Sequence, residues 1–250
     1  QQGVLAKMPA PKLDRLLAIP FLGHFVRRKI QKGLGLDAAR LCGCGSAPLS
    51  EDLLRWYHRL GIRFVEGYGM TELASASHMT EVGEDGWGTV GRPGDGVDHR
   101  IDPQTGEVQV LSAGAALGYY LAPELTAELF TEDGWLRTGD KGEIDADGRL
   151  RLIGRIKDNF KSSKGKYVAP APIEHKLIQN PSLDACLVIG SGLSQPVGIV
   201  VLNEAAIARL PAARAAIEAD LARHLQAINA TLDPHEKLDY LVISTKAWTP

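Results

Sequence analysis

Three stretches of this 250-residue chain combine residue types that can do chemistry. The first reads Glu66-Gly67-Tyr68-Gly69-Met70-Thr71-Glu72. Two glycines bracket an aromatic ring, and a hydroxyl and a carboxylate follow. Glycines free the backbone to wrap an anion such as a phosphate with N–H groups. Thr71 can then hydrogen-bond a phosphate oxygen. Glu72 can hold Mg2+, which takes one or two carboxylates together with phosphates. Tyr68 can lie against a flat base. The bland alternative is a glycine-rich turn into a helix, with Glu72 favourable at its N-terminus. The second stretch, Gly43-Cys44-Gly45-Ser46-Ala47-Pro48, offers small residues that let a ligand approach the backbone closely. The third runs from Gly134 to Pro172. It starts with Asp140, read as a carboxylate after the turn Thr138-Gly139, and ends in the charged loop Arg155–Lys166. A carboxylate there can accept two bonds from a ribose diol, or be an exposed turn residue.

The surrounding pattern indicates what must position these residues. Ala39–Cys44 is a short apolar run consistent with a buried strand. Ser50 suits an N-cap, Glu51 and Asp52 suit the first turn, Leu53, Leu54, Tyr57 and Leu60 form one helical stripe, and Gly61 ends it. Ile62–Val65 is the next strand, so the spacing predicts a parallel strand–helix–strand unit with its ligand at the carboxyl ends of the strands. From Gly86 to Ile153 the pattern changes to short strands and turns, with strands at Thr89–Gly91, Val97–Ile101, Val108–Leu111, Lys141–Asp145 and Arg149–Ile153. A short helix at Pro123–Phe130 interrupts them. The loop Arg155–Lys166 has no apolar period and reads as loop or exposed hairpin. Beyond it come a helix at Pro172–Gln179, strands at Ala185–Ile189 and Val197–Leu202, a helix at Ala212–Ala230 entered by Pro211, and a strand-like Tyr240–Ser244. The expected class is α/β. Part of a parallel-sheet subdomain (1–85) is followed by a β-barrel-like subdomain (86–153) and a small, mobile α+β C-terminal domain (154–250), with Gly154–Asp158 as the seam.

Composition excludes several classes of function. A net charge of −2 gives no global field toward nucleic acid. The charge is uneven: Gln1–Arg40 carries eight Lys/Arg and two Asp/Glu, a local +6. That basic stretch reads either as a helix touching anionic lipid at the cytoplasmic face of a membrane or as a solvated helix face packed on its own domain. Three cysteines in Cys-Gly-Cys plus Cys186 fit neither a disulfide framework nor a CxxC zinc half-site, so a reduced cytosol is expected. No apolar run approaches the roughly 18 residues of a membrane span, and no signal-peptide pattern opens the chain. The chain starts on Gln1 and stops just after a strand-like run, and so reads as a fragment.

Six ordered motifs carry a resemblance. They are Gly67-Tyr68-Gly69-Met70-Thr71-Glu72; Gly88-Thr89-Val90-Gly91-Arg92-Pro93; Gly118-Tyr119-Tyr120; Asp133 through Asp140; Gly154-Arg155-Ile156-Lys157-Asp158; and Gly165-Lys166-Tyr167-Val168-Ala169-Pro170 with Ile173-Glu174. In order and spacing they resemble the adenylate-forming superfamily of acyl-CoA synthetases, luciferases and peptide-synthetase adenylation domains. Ala169–Glu174 looks most like the long-chain fatty acid branch. The resemblance implies a two-step reaction that uses ATP, Mg2+ and CoA: a fatty acid carboxylate attacks the α-phosphate of ATP, and CoA then takes the acyl group. It implies that Gly45, Ser46, Ala47, Gly67, Tyr68 and Gly69 line the adenine and acyl pocket. By the same likeness Thr71 contacts phosphate, Glu72 holds Mg2+, and Asp140 and Arg155 bind the ribose hydroxyls. Lys157 is the implied hinge residue. The loop Lys161–Tyr167, with Lys161 and Gly165, is the one that swings in for thioester formation.

The chain departs from the family in two places. The Ser/Thr/Gly-rich phosphate loop and the C-terminal lysine that bridges carboxylate and α-phosphate have no counterpart here. Lys246 sits in a different setting, Thr-Lys-Ala-Trp. Little or no adenylation is therefore expected of these 250 residues alone. Two other outcomes stay open: an adenylation domain that passes its acyl group to a carrier protein or a reductase, and a nucleotide- or partner-binding module without catalysis.

Overall fold

The computed structural model describes residues 10–46, 49–81, 86–244, 246 and 248. It divides into two compact units. The first comprises residues up to Thr138 together with Gly142–Leu152, and the second comprises Gly139–Lys141 and everything from Ile153 on.

The first unit opens with helices α1 (Ala10–Ala18) and α2 (Leu22–Gly33), then β1 (Cys42–Cys44), α3 (Glu51–Arg59) and β2 (Phe64–Tyr68). Ser50 caps α3, its Oγ accepting from the Leu53 N–H at 3.4 Å. β1 and β2 pair in parallel, Cys44 opposite Glu66, which bears out the strand–helix–strand reading. Leu13, Leu17, Trp56, Leu60 and Ile62 form one buried cluster, with Val26 and Ile30 of α2 packed on it. Arg27 adds a bond from Nε to the Arg59 carbonyl at 3.1 Å. The basic helix is thus docked on its own unit through one face, while Phe21 and Phe25 stay exposed. Among the described residues no helix is long and apolar enough to cross a membrane.

Two expectations change at this sheet. β2 starts at Phe64 rather than Ile62 and runs through Glu66, Gly67 and Tyr68, so the first half of the glycine motif is strand and not loop. The sheet is also mixed. β3 (His78–Met79) lies antiparallel to β2, and β4 (Arg92–Pro93) antiparallel to β3. Thr89–Gly91 is not a strand but the bend leading into β4. Gly91 explains why. At φ 81° it passes so close to β3 that a Cβ would sit 2.0 Å from the Met79 carbonyl oxygen.

A second sheet in the order β5-β6-β7-β8 follows, built from β5 (Val97–Ile101), β6 (Glu107–Ser112), β7 (Leu136–Ile144) and β8 (Leu150–Arg155). It curls into an antiparallel half-barrel, bearing out the barrel-like expectation. Its inner face buries Val108, Val110, Leu136 and Leu150 against Leu73, Val90 and Leu129 of α4 (Pro123–Leu129). Thr138-Gly139-Asp140 is not a turn: it lies inside β7. Alternation across the strand explains this, because Leu136 and Thr138 both point to the buried side.

The second unit contains the antiparallel pair β9 (Phe160–Lys161) and β10 (Tyr167–Val168), which is the hairpin expected in Arg155–Lys166. It continues with α5 (Pro170–Leu177), β11 (Leu183–Ile189), β12 (Val197–Leu202), α6 (Glu204–Asn229) and β13 (Leu241–Ser244). The sheet order is β11-β12-β13, antiparallel then parallel. Its core joins Ile173, Leu177 and Val188 to Ile228, and Val200 and Leu202 to Ile217 and Leu221. The last helix starts eight residues before the expected Ala212. Asn203 caps it, Oδ1 accepting from Ala206 N–H at 2.9 Å, and it runs through Pro211 with a kink at Ala213. The proline read as a first-turn residue therefore sits at a bend between two helical segments.

Candidate active site

In the first unit the candidate residues gather where β1 and β2 end. Gly45 follows β1, and a Cβ there would approach the Gly67 carbonyl oxygen to 3.1 Å, so glycine lets the two strand ends lie close. Ser46 takes φ 66°, and Ala47 lies outside the described residues. Gly67 pairs with Met79 and Tyr68 with His78, so these two serve as ladder residues rather than an open anion nest. Gly69 is required for another reason. The loop folds back so tightly that a Cβ would lie 2.3 Å from the Ser75 carbonyl oxygen. Ala74 (φ 54°) and Ser75 (φ 80°) both take left-handed backbone in this loop, a strained arrangement of the sort found where a site must be held in shape.

Thr71 and Glu72 open the one-turn 3-10 helix Thr71–Leu73 that this tight loop presents. Leu73 is buried, which anchors the turn, while Thr71 is exposed and Glu72 half-buried. The Glu72 carbonyl accepts from the Ala116 N–H at 2.8 Å, and its carboxylate Oε1 accepts from the Tyr119 phenol at 2.5 Å. That contact raises the Tyr119 pKa above its ordinary value, with burial adding to it. Glu72 is a hard, anionic oxygen donor with a hydroxyl beside it. Among the described residues no three His, Cys, Asp or Glu side chains could hold a metal together. A single carboxylate plus substrate phosphates suits Mg2+ and none of the metals that need a protein cage.

Tyr68 itself is nearly buried, its ring 5.7 Å from the His78 ring and packed into the half-barrel core. Behind it runs a polar chain that the sequence did not suggest. Ser77 Oγ lies 2.9 Å from His78 Nδ1, and His78 Nε2 lies 2.9 Å from His99 Nδ1. Burial and then the His99 charge push the His78 pKa down to about 4, and burial lowers His99 as well. At the end of β1, burial and then Glu66 push the Cys44 thiol up to about 11, which disfavours the nucleophilic thiolate at neutral pH. Glu66 is buried too, and burial raises its pKa against the Leu49 N–H that it accepts at 3.4 Å.

In the second unit Asp140 and Arg155 meet, with Arg155 Nε 3.0 Å from Asp140 Oδ1. The carboxylate is mostly buried and the guanidinium mostly exposed, 15% against 63% of the side chain. β7 and β8 position them, and the Ile156 N–H donates to the Gly139 carbonyl at 2.9 Å, holding the start of the following turn to β7. Lys157 is exposed on that turn. Lys161 lies on β9 with its Nζ 5.6 Å over the Tyr167 ring. Gly165 makes the hairpin turn at φ 77°, its N–H donating to the Ser162 carbonyl at 2.9 Å. The hairpin is braced by the turn at Gly190–Leu193, where Ser163 donates to the Leu193 carbonyl at 2.9 Å and a Cβ on Gly190 would strike the Phe160 ring at 2.5 Å.

The sequence reading missed Tyr119, His78 and His99 as members of this surrounding. Tyr119 lies inside the Gly118-Tyr119-Tyr120 motif, but nothing in the chain's order pairs it with a residue 47 positions earlier. The histidines meet only because β3 and β5 come together.

Comparisons with known proteins match most of the chain. The AMP-binding enzyme family matches residues 11–120, and the AMP-binding enzyme C-terminal domain matches residues 157–247. A long-chain-fatty-acid–CoA ligase of Mycobacterium bovis is 36% identical over 188 residues, 75% of this chain and 29% of that protein. A sulfoacetate–CoA ligase of Cupriavidus necator is 36% identical over 204 residues, 74% of this chain and 39% of that protein. The adenylation domain of a carboxylate reductase of Mycobacterium chelonae has TM-score 0.72 at 26% identity, covering 96% of this chain and 39% of that one. The chain therefore spans well under half the length of these relatives. With both parts of one enzyme family matched in order along it, the chain belongs to the adenylate-forming, AMP-binding superfamily.

Proposed function

We propose that the chain is part of an ATP-dependent acid–CoA ligase whose acid is a long-chain fatty acid. The observation that carries the ligase reading is the Thr71–Glu72 pair, a hydroxyl and a half-buried carboxylate held on a strained turn, inside the segment matched by the AMP-binding family. The fatty acid assignment rests on the Ala169–Glu174 segment and on likeness to the mycobacterial ligase, and the similar identity to a sulfoacetate ligase is its competitor.

On this reading a carboxylate oxygen attacks the α-phosphorus of ATP. The bond to the pyrophosphate oxygen breaks, giving acyl-adenylate and pyrophosphate. The CoA sulfur then attacks the acyl carbon, its proton passes to solvent, and AMP leaves. Such displacements need alignment and charge neutralisation more than a protein nucleophile, in keeping with the disfavoured Cys44 thiolate. Thr71 binds a phosphate oxygen. Glu72 would hold Mg2+ together with the substrate phosphates, and the ion would supply positive charge that offsets the phosphoryl oxygens. Gly45, Ser46, Gly67, Tyr68 and Gly69 border the nucleotide and acyl group, with Tyr68 contributing an edge rather than a stacking face because its ring is nearly buried. Asp140 and Arg155, already paired, take the ribose hydroxyls. Lys157 is the pivot, and the hairpin carrying Lys161 and Gly165 serves the thioester step.

A second reading has the acyl group pass to a carrier or reductase domain. The likeness to a carboxylate reductase adenylation domain favours it. Calorimetric titration with AMP tests the nucleotide site: binding that Asp140→Ala abolishes is expected, and no binding to the native chain sinks the reading. Pyrophosphate release with hexadecanoate, dodecanoate, benzoate and sulfoacetate then tests the acid. The 250-residue chain alone is expected to stay near background, and an intact ligase carrying this sequence is expected to prefer hexadecanoate. A preference for sulfoacetate would overturn the fatty acid assignment.

A further inference from the structure

Glu72 is held by one loop at both ends. The segment between β6 and α4 gives the Ala116 N–H to its carbonyl and the Tyr119 phenol to its carboxylate. The loop is built to place that phenol. The Tyr119 N–H donates to Thr126 Oγ1 at 2.8 Å, and the Thr126 hydroxyl donates to the Ala122 carbonyl at 3.0 Å. Gly118 bends the chain around Thr126 at φ 144°, where a Cβ would come within 2.4 Å of Thr126 Cγ2. Packing does not account for the tyrosine, because it is 40% exposed and its neighbour Tyr120 is 91% exposed. What Tyr119 does instead is donate to an anion, and such charge-assisted bonds are short and strong.

We propose that Tyr119 is a positioning residue, its phenol fixing the orientation of the Glu72 carboxylate for the metal and phosphate role. The inference rests on the reading of Glu72 as the Mg2+ ligand. Glu72 sits on a single turn of 3-10 helix, and a free carboxylate on a side chain of that length samples several rotamers. The bond to Tyr119 selects one of them and leaves the second carboxylate oxygen to face the ion. Loss of a partner that orients a metal ligand typically weakens metal affinity by about 10–100-fold.

The test uses Mn2+ as a spin-visible stand-in for Mg2+. Free Mn2+ is followed by electron paramagnetic resonance as the 250-residue chain is titrated with ATP present. Native chain, Tyr119→Phe and Glu72→Gln are compared, and AMP binding without divalent cation is measured by calorimetry in parallel. Tyr119→Phe keeps the ring and should melt like the native chain. It should bind Mn2+ at least tenfold more weakly and leave metal-free AMP binding unchanged. Equal Mn2+ affinity in Tyr119→Phe and native chain would overturn the inference, and so would parallel loss of AMP and Mn2+ binding, which marks a merely structural role. A native chain that takes up no Mn2+ with ATP, or a Glu72→Gln chain that takes it up as well as native, overturns the metal-ligand reading of Glu72 and this inference with it.

Discussion

Glu72 and Glu66 are six residues apart in one motif and differ completely in what they can do. Glu66 is buried in β2, its charge disfavoured and turned toward the Leu49 N–H, whereas Glu72 stands on a turn outside the sheet with a hydroxyl beside it. Substituting Glu72 by Gln in an intact ligase should cut Mg2+-dependent adenylation by about two orders of magnitude, because charge against the phosphates is lost while shape is kept. Unchanged rate across a Mg2+ titration would refute the metal role. The thiols allow a second check. Burial holds Cys44 and Cys186 at about 11, helped by Glu66 and Glu174 respectively. At pH 8 only about one thiol in a thousand is then ionised at either position. Both should resist iodoacetamide in the native chain and react quickly in urea, as peptide mass spectrometry would read out. At this scale the sequence pointed to Thr71, Glu72, Asp140 and Arg155 as candidates because the chemistry proposed for them is local to short motifs. It could not make Tyr119 or the histidine pair legible, since those contacts exist only after strands far apart in the chain have met.

At the scale of elements, the pair β3–β5 carries a titratable joint. His78 Nε2 and His99 Nδ1, 2.9 Å apart, can share one proton between them, so the pair is satisfied when neutral. The folded pKa of His78, about 4, lies below the ordinary 6.5. The unfolded chain therefore binds more protons in that window, and stability rises with pH through it. The contribution is fully present above about 6.5 and is lost as pH falls toward 4, amounting to about 3 kcal/mol at most. Thermal melts between pH 7 and pH 4 should show this loss, and His78→Gln should flatten the slope. An unaltered slope in the variant would place the acid sensitivity elsewhere. Gly91 fixes the same region from the other side. With φ 81° and no room for a Cβ against Met79, Gly91→Ala should cost at least ~2 kcal/mol and lower the melting temperature. Periodicity exposed the helices, the β1–α3–β2 unit and most half-barrel strands, because each buries one face. It misplaced Thr89–Gly91 and the start of β2, where close backbone approach rather than side-chain pattern sets the path. It also misread Thr138–Asp140 as a turn, since Gly139 with φ 72° looks like one and yet lies within a strand.

At the scale of the whole molecule, the chain passes from the first compact unit to the second within β8, between Leu152 and Ile153, with Gly139–Lys141 of β7 belonging to the second. The polypeptide passes from Arg155 through the turn Ile156–Asp158 to β9, and Lys157 is exposed there. The proposed two-step reaction asks for one site to present different side chains in turn, which a few residues absorbing a large dihedral change can supply. The hairpin of Lys161 and Tyr167 is itself braced by Gly190–Leu193, so it would travel as a rigid piece and the change must fall before it. Lys157→Pro isolates that step. Proline fixes φ near −65° at 157 and pushes Ile156 toward extended backbone, without touching Asp140, Arg155, Thr71 or Glu72. In an intact ligase carrying this sequence, pyrophosphate release with a fatty acid should stay within about threefold of native. Transfer to CoA, measured by single turnover from preformed acyl-adenylate, should fall by about tenfold or more, because one of the two backbone states is lost. Equal loss in both half-reactions would move the pivot away from Lys157. Loss of the first alone would mean that the native turn is already in the thioester-forming state and that proline holds it there.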